Sequence, residues 1–276
     1  MAVEPLSQDR SDRQLRICLV SDFFYPRIGG VELHQYQLAQ CLLQRGHKVI
    51  VITGTYAGRE SATERQGVRY VTNGLKVYYC PQMSLYNQAS MPTLYTFFPL
   101  FRNIILRERI DIVHGHQTTS ALVHECVLHA RTMGIKAVFT DHSLFGFANT
   151  AAIHINKVMK FTLSDIDHVI TVSHCSKENL VLRAFLDPQQ VAVIPNAVDM
   201  SKFTPNPSAA PNPKERINIV ILSRLVYRKG LDLAVEVIPK VCARFPNVHF
   251  IIGGDGNKRL LVEAVSYTHL TLPTNR

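Results

Sequence analysis

The chain has 276 residues, 46% of them hydrophobic and 18% charged, which suits one or two packed domains and excludes a disordered chain. Thirty Lys and Arg against 21 Asp and Glu give a formal net charge of +9, favouring anionic partners: phosphorylated small molecules, an anionic membrane surface or nucleic acid. Aromatic residues are not interleaved with the basic ones as a stacking platform requires, so nucleic acid is set aside.

Residues 1–15 are polar, lack the apolar centre of a signal peptide and read as a disordered N-terminus. No uninterrupted apolar run reaches the ~18 residues that a spanning helix requires. Cys18, Cys41, Cys80, Cys126, Cys175 and Cys242 form no C-x-x-C pair. Most fall on apolar faces, which predicts buried, reduced thiols in a cytosolic environment.

Residues 16–24 read as a buried strand, followed by a loop with Pro26, Gly29 and Gly30. An amphipathic helix is expected from 31 to 45, stopped by Gly46. Strands follow at 47–53, 68–71 and 75–80, the last two turning at Asn73-Gly74. Residues 93–108 read as a helix, and 110–114, 136–140, 168–173 and 191–195 as strands. Helices separate them at 120–133, 151–163 and 177–185. Such alternation predicts an α/β fold with a parallel sheet covered on both faces and ligands at the carboxyl ends of its strands.

The first domain is assigned to 16–199, and the Pro- and Asn-rich stretch 200–216 to a linker. A second strand–helix–strand begins at 217 and continues to about 265. Residues 266–276 break the helical pattern of 259–264 and read as a non-native tail. With about fifty residues and two strands, the second domain reads as truncated.

Five constellations carry chemistry. Gly29-Gly30-Val31-Glu32-Leu33-His34 lies where the first strand meets a helix N-terminus, which offers N–H groups to an anion. It is not G-x-G-x-x-G, which disfavours a nicotinamide dehydrogenase. His114 and His116, two apart at a strand end, share a face; no carboxylate or cysteine stands at ligand spacing, so zinc is disfavoured. Thr140-Asp141-His142-Ser143 closes another strand, with Asp141 and His142 pointing apart if the strand continues. Ser143 has no G-x-S-x-G context, so serine-hydrolase chemistry finds no support. Pro195-Asn196-Ala197-Val198-Asp199 suits a chain reversal between domains.

The fifth is the most informative. Ser223 to Gly230 (S-R-L-V-Y-R-K-G) places Arg224, Arg228 and Lys229 in a strand-to-helix turn, a site for a phosphate or diphosphate. Gly253-Gly254-Asp255-Gly256 beside it would wall a nucleotide-sized pocket.

In this order, G-G-V-E-x-H, H-x-H, T-D-H, P-N-A-V-D, S-R-L-x-x-x-K-G and G-G-D-G resemble glycosyltransferase family 4, over residues 16–264. Its members are retaining enzymes of the GT-B fold, two Rossmann-like domains facing a cleft. S-D-F-F-Y-P at Ser21, L-K-V-Y-Y at Leu75 and F-T-D-H-S-L-F-G-F-A at Phe139 narrow the likeness further. They are similar to members that transfer N-acetylglucosamine from UDP-N-acetylglucosamine to phosphatidylinositol. That reaction begins glycosylphosphatidylinositol anchor synthesis on the cytosolic face of the endoplasmic reticulum membrane, within a multi-subunit transferase.

The resemblance implies catalytic roles for His142, Arg224 and Lys229, the two cations holding the donor diphosphate. Gly29, Gly30, Gly253, Gly254 and Gly256 would approach the donor. Glu32, His34, His114 and His116 would lie on the acceptor side. No metal and no cofactor are implied. The family's paired glutamates and the expected membrane segment are missing, so the chain is expected to be inactive alone. The basic, apolar stretch 94–109 has two readings, a membrane-docking surface or a core helix with a basic end. Two alternatives to the whole reading stand: a family 4 transferase with another lipid or glycan acceptor, and a non-catalytic assembly subunit.

Overall fold

The computed structural model describes residues 13–25, 29–55, 65–82, 84–86, 89–93, 95–144, 150–198, 200, 203–206, 212 and 214–269. Expectations for residues 1–12, Pro26, the F-G-F-A stretch from 145, much of the linker and the tail beyond 269 lie outside them. Two compact units divide between Val198 and Asp199.

The first unit is built on β1 (Arg16–Val20), β2 (Lys48–Gly54), β3 (Gly67–Tyr70) and β4 (Lys76–Cys80). After them come a small hairpin that sequence reading missed, β5 (Ser84–Tyr86) with β6 (Ala89–Ser90), then β7 (Ile112–His116). β8 (Lys136–Asp141), β9 (His168–Thr171) and β10 (Val191–Val193) complete it. The helices are α1 (Gly30–Gln44), α2 (Phe98–Glu108), α3 (Ala121–Thr132), α4 (Thr150–Thr162) and α5 (His174–Ala184).

One sheet of eight strands runs β10-β9-β8-β7-β1-β2-β4-β3, parallel throughout except for β3 against β4. Strand order reverses between β1 and β7, and in sheets of this kind the crevice at that reversal is where ligands bind.

Both faces of the sheet are filled. Ile17 and Leu19 of β1 join Val49, Val51, Val77 and Ala39 on the α1 side. Cys18 and Val20 join Ile50, Ile52, Phe101, Val123 and Val127 on the other. An apolar run with no polar alternation is what a doubly covered parallel strand requires.

Several boundaries differ from expectation for visible reasons. β1 stops at Val20 rather than Phe24, because the Asp22 N–H donates to Ser120 Oγ (2.9 Å) and the Phe23 N–H to Ser21 Oγ (3.0 Å). β7 spans 112–116 instead of 110–114. Ile110 still belongs to the end of α2, where Arg109 takes a left-handed conformation (φ 54°) and the Ile110 N–H reaches Ile105 O. Asp111 holds the Arg16 backbone N–H at 2.9 Å and its guanidinium at 3.1 Å. α2 is shorter than 93–108, and its Phe101, Ile104 and Ile105 are buried in the core. Leu100 and Leu106 stay exposed beside Arg102 and Arg107. Three of the six cysteines are buried, fewer than expected, since Cys41 and Cys175 lie on the outer faces of their helices.

At the amino ends of β2 and β4, buried Glu108 accepts from Lys48 Nζ (2.6 Å), Lys76 Nζ (2.5 Å) and the Tyr78 hydroxyl (2.6 Å). Burial alone would raise its pKa, but those three donors prevail and hold it at about 2.

The second unit pairs β11 (Ile217–Leu222) in parallel with β12 (Val248–Gly253), packed by α6 (Leu231–Arg244) and α7 (Arg259–His269). α7 continues through Ser266 to His269, so the helical pattern does not break at 264 as expected; Ser-Tyr-Thr-His is compatible with another helical turn. Among the described residues no helix is long and apolar enough to cross a membrane.

Candidate active site

Four histidines meet at the reversal point. His34 comes from the second turn of α1, His114 and His116 from the last three residues of β7, and His142 from the residue after β8. As the two-residue period predicts, the His114 and His116 rings lie together, centroids 4.2 Å apart. The His116 and His142 rings meet edge to edge, centroids 5.6 Å apart and planes 21° apart, with His116 Nδ1 3.3 Å from His142 Nε2. His34 meets His142 edge-on at 4.8 Å.

Gly115 makes this packing possible. A Cβ there would collide with Val123 of α3, so only glycine lets the helix sit against β7 between the two histidines. The α3 N-terminus is fixed by Ser120, whose hydroxyl accepts from both Asp22 N (2.9 Å) and Val123 N (3.3 Å). One residue thus ties the end of β1 to the helix that supports β7.

All four imidazoles are held neutral. Burial, then the neighbouring His34 and His142, pushes His114 down to about 3; burial and His34 push His142 to about 4. Burial and its three neighbours also lower His116 well below its ordinary value, and burial lowers His34. The cluster therefore offers hydrogen bonds without charge at neutral pH. His114 Nε2 is 2.7 Å from Thr140 Oγ1.

Asp141 and His142 do point apart. Asp141 is fully buried and accepts from Thr118 Oγ1 (2.6 Å) and the Ser143 N–H (3.1 Å). Burial raises its pKa against those two bonds. It is the strut of the turn that presents His142. Sequence reading missed its partner Thr118 and the neighbouring Gln117. Gln117 takes a left-handed conformation (φ 82°) and bonds Ser143 Oγ at 3.1 Å. The signal was present: a run of polar residues, Gln117 to Ser120, directly after a strand end.

His34, His116 and His142 place one ligand atom each within 4.8 Å of one another. Tetrahedral zinc with bonds of 2.0–2.1 Å wants ligands about 3.3 Å apart, so the rings would have to close further. At α1, Glu32 folds its carboxylate back onto Gly29, while the space beside Gly30 is open. The helix N-terminus thus already has an anion against it.

In the second unit the two predicted motifs form one structure. Gly254 (φ 137°) and Gly256 (φ 156°) lie so close to the carbonyls of Ser223 and Leu225 that a Cβ at either would collide with them. The Leu225 N–H donates to Asp255 O (2.8 Å), and the Lys258 N–H to Leu225 O (2.9 Å). The glycine-rich turn therefore clamps the backbone on both sides of Arg224. Lys229 sits just before Gly230, which starts α6 in a left-handed conformation (φ 72°). The Arg224 and Lys229 side chains are exposed, with no hydrogen-bond or ion-pair partner among the described residues.

Comparison with known proteins agrees. Residues 60–149 match a family model described as PIGA (GPI anchor biosynthesis). The A subunit of phosphatidylinositol N-acetylglucosaminyltransferase from Arabidopsis thaliana is 55% identical over 256 residues, covering 93% of this chain and 56% of the relative. The Homo sapiens protein of the same name is 52% identical over 253 residues, 92% of this chain and 50% of the relative. The chain thus spans about half the length of these relatives. Among solved structures, Anabaena HepE in complex with UDP aligns with a TM-score of 0.67 at 14% identity, over 95% of this chain and 70% of that one. Sucrose-phosphate synthase from Thermosynechococcus elongatus aligns at 0.65 and 17%, over 95% and 71%. The fold is that of GT-B glycosyltransferases, and the chain belongs to the PIGA family of phosphatidylinositol N-acetylglucosaminyltransferase subunits.

Proposed function

We propose that the whole protein transfers N-acetylglucosamine from UDP-N-acetylglucosamine to phosphatidylinositol, the first step of GPI anchor synthesis, as part of a multi-subunit transferase at the cytosolic face of the endoplasmic reticulum. The observation that carries this is convergence. His34, His114, His116 and His142, which the resemblance places around the acceptor and sugar, meet in one cluster where the sheet order reverses.

In this reading the bond from the sugar C1 to the β-phosphate oxygen breaks and UDP leaves with the electron pair. An inositol hydroxyl oxygen bonds to C1 on the same face, and its proton passes to a phosphate oxygen of UDP. Arg224 and Lys229 stabilise the growing charge on the diphosphate, each worth ~4 kcal/mol of Coulomb energy at 4 Å and an effective dielectric of 20, before desolvation. That role requires no metal or other cofactor. Gly253, Gly254 and Gly256 hold the loop that carries Arg224, and Gly30 leaves room at α1 for the donor. Neutral His142 hydrogen-bonds the transferred sugar, with Glu32, His34 and His114 toward the acceptor, while His116, fully buried, acts through its contact with His142. Exposed Leu100 and Leu106 beside Arg102 and Arg107 suit contact with a membrane surface.

The test is UDP-N-acetylglucosamine-dependent labelling of phosphatidylinositol in microsomes carrying the whole protein. Labelled phosphatidylinositol supports the reading. Labelling of a different lipid or of soluble glycan replaces the acceptor, and complex assembly without any transfer favours the non-catalytic role.

A further inference from the structure

The contact between His116 and His142 carries an inference about how the transfer site is oriented. A neutral imidazole has one N–H and one bare nitrogen, and only the N–H can donate. His116 is fully buried, and its Nε2 has no hydrogen-bond partner among the described residues. Its Nδ1 lies 3.3 Å from His142 Nε2. One of those two facing nitrogens must carry a hydrogen for the contact to be a bond.

The orphan decides which. A hydrogen on His116 Nε2 would be a buried donor with nothing to receive it, and orphaned N–H groups are rarer in proteins than underused acceptors. The hydrogen therefore belongs on His116 Nδ1, donated to His142 Nε2. His142 is then left with its own hydrogen on Nδ1.

We infer that His116 is a positioning residue that locks His142 in the Nδ1–H form, so that His142 Nδ1 is a fixed, uncharged donor to an oxygen of the bound sugar or its leaving phosphate. His116 itself touches no substrate. Two features of the scaffold support this lock: Gly115 lets α3 press against β7, and Asp141 with Thr118 anchors the turn that carries His142. The two ring planes lie within 21° of one another and meet edge to edge, as an in-plane N–H···N bond requires.

The role assigned to His142 rests on the transfer reading above, whereas the direction of the hydrogen bond does not. Two measurements keep them separate. The first is 15N NMR of ring-labelled histidine in this chain, with the signal of His142 identified through His142→Gln. The expected result is a protonated Nδ1 and a bare Nε2 on His142, with the two forms mixing in His116→Ala. A hydrogen on His142 Nε2, or an unchanged form in His116→Ala, overturns the inference whatever the protein catalyses.

The second is kinetics in microsomes carrying the whole protein. His116→Ala is expected to lower kcat by about tenfold to a hundredfold, in the range of residues that orient a functional histidine, with the donor KM little changed. His116→Asn, whose amide can place an N–H near the position of Nδ1, is expected to recover most of that loss. Failure of Asn to do better than Ala, with both variants folded by circular dichroism, overturns the positioning role. Absence of transfer in the unmodified protein sinks the transfer reading instead, and the NMR result still decides the hydrogen bond.

Discussion

The two units hold their functional side chains in opposite ways. In the first, the side chains themselves are fixed: His116 is fully buried, and His34, His114 and His142 are packed against it or one another. In the second, Arg224 and Lys229 are exposed and unpartnered among the described residues, and the order lies in the backbone beneath them, clamped by Gly254 and Gly256. The difference follows from charge. Neutral imidazoles can be packed into a core at modest cost, but a buried cation without a partner costs several kcal/mol, so the cations proposed to bind a diphosphate are left in water.

The sharpest way to break this comparison is Lys229→Ala. An exposed side chain without partners contributes little to folding, so the thermal midpoint should be unchanged, while labelling of phosphatidylinositol in microsomes falls about a hundredfold or more. Undiminished labelling would remove Lys229 from the mechanism. A large loss of stability would show that the second unit depends on its cations as the first depends on its histidines.

Gly254→Ala tests the other half. The new methyl would collide with the Ser223 carbonyl at a φ of 137° that L-residues rarely adopt. The second unit should lose about 3 kcal/mol, read as an earlier urea transition. A variant as stable as the parent would mean that the Arg224 loop is not clamped by this turn.

Much of this arrangement was legible in the sequence, and the misses have physical causes. The histidines at 114 and 116 could be paired from their spacing, and the reversal of strand order makes their meeting with His34 and His142 intelligible. Strand ends were misjudged where side chains replace backbone partners: at the end of β1, where Ser120 serves Asp22, and at the start of β7, where Asp111 serves Arg16. Those bonds join residues 95 to 98 positions apart, beyond any local pattern. The clamp between G-G-D-G and S-R-L was invisible for the same reason: each motif reads as a free loop until β11 and β12 are paired. Thr118 and Gln117 were missed because polar residues after a strand resemble an ordinary turn.

A smaller effect separates the chemistry of the first unit from its scaffold. Glu108 lies at the amino ends of β2 and β4, opposite the histidine end of the sheet, and its pKa is held near 2 instead of 4.5. A depressed carboxylate stabilises above its unfolded pKa, and that contribution is lost as pH falls from about 4.5 through about 2. Discounted for the partial exposure of Lys48, it amounts to about 2 kcal/mol. Urea midpoints should fall over that window in the parent chain and fall less in Glu108→Gln. Equal slopes would mean that the pair with Lys48 and Lys76 adds nothing to stability.

The gentlest probe leaves the sequence untouched. Thiols react as thiolates, and burial pushes Cys80 up to about 12 and raises Cys18 and Cys126 well above the usual range. All three lie inside the first unit, facing the α2 and α3 side of its sheet. Exposed Cys41 and Cys175 should be labelled first by a thiol reagent at neutral pH, with the buried three silent until the unit unfolds. Cys242 of α6, half-buried beside Val248, belongs to the second unit and should fall between. Its rate measures how often the second unit opens, against a first unit in which a buried thiol reacts only through global unfolding. Labelling of Cys18 as fast as Cys242 would mean that the histidine side chains are no better fixed than the cations, and the contrast between the two units would be one of exposure alone.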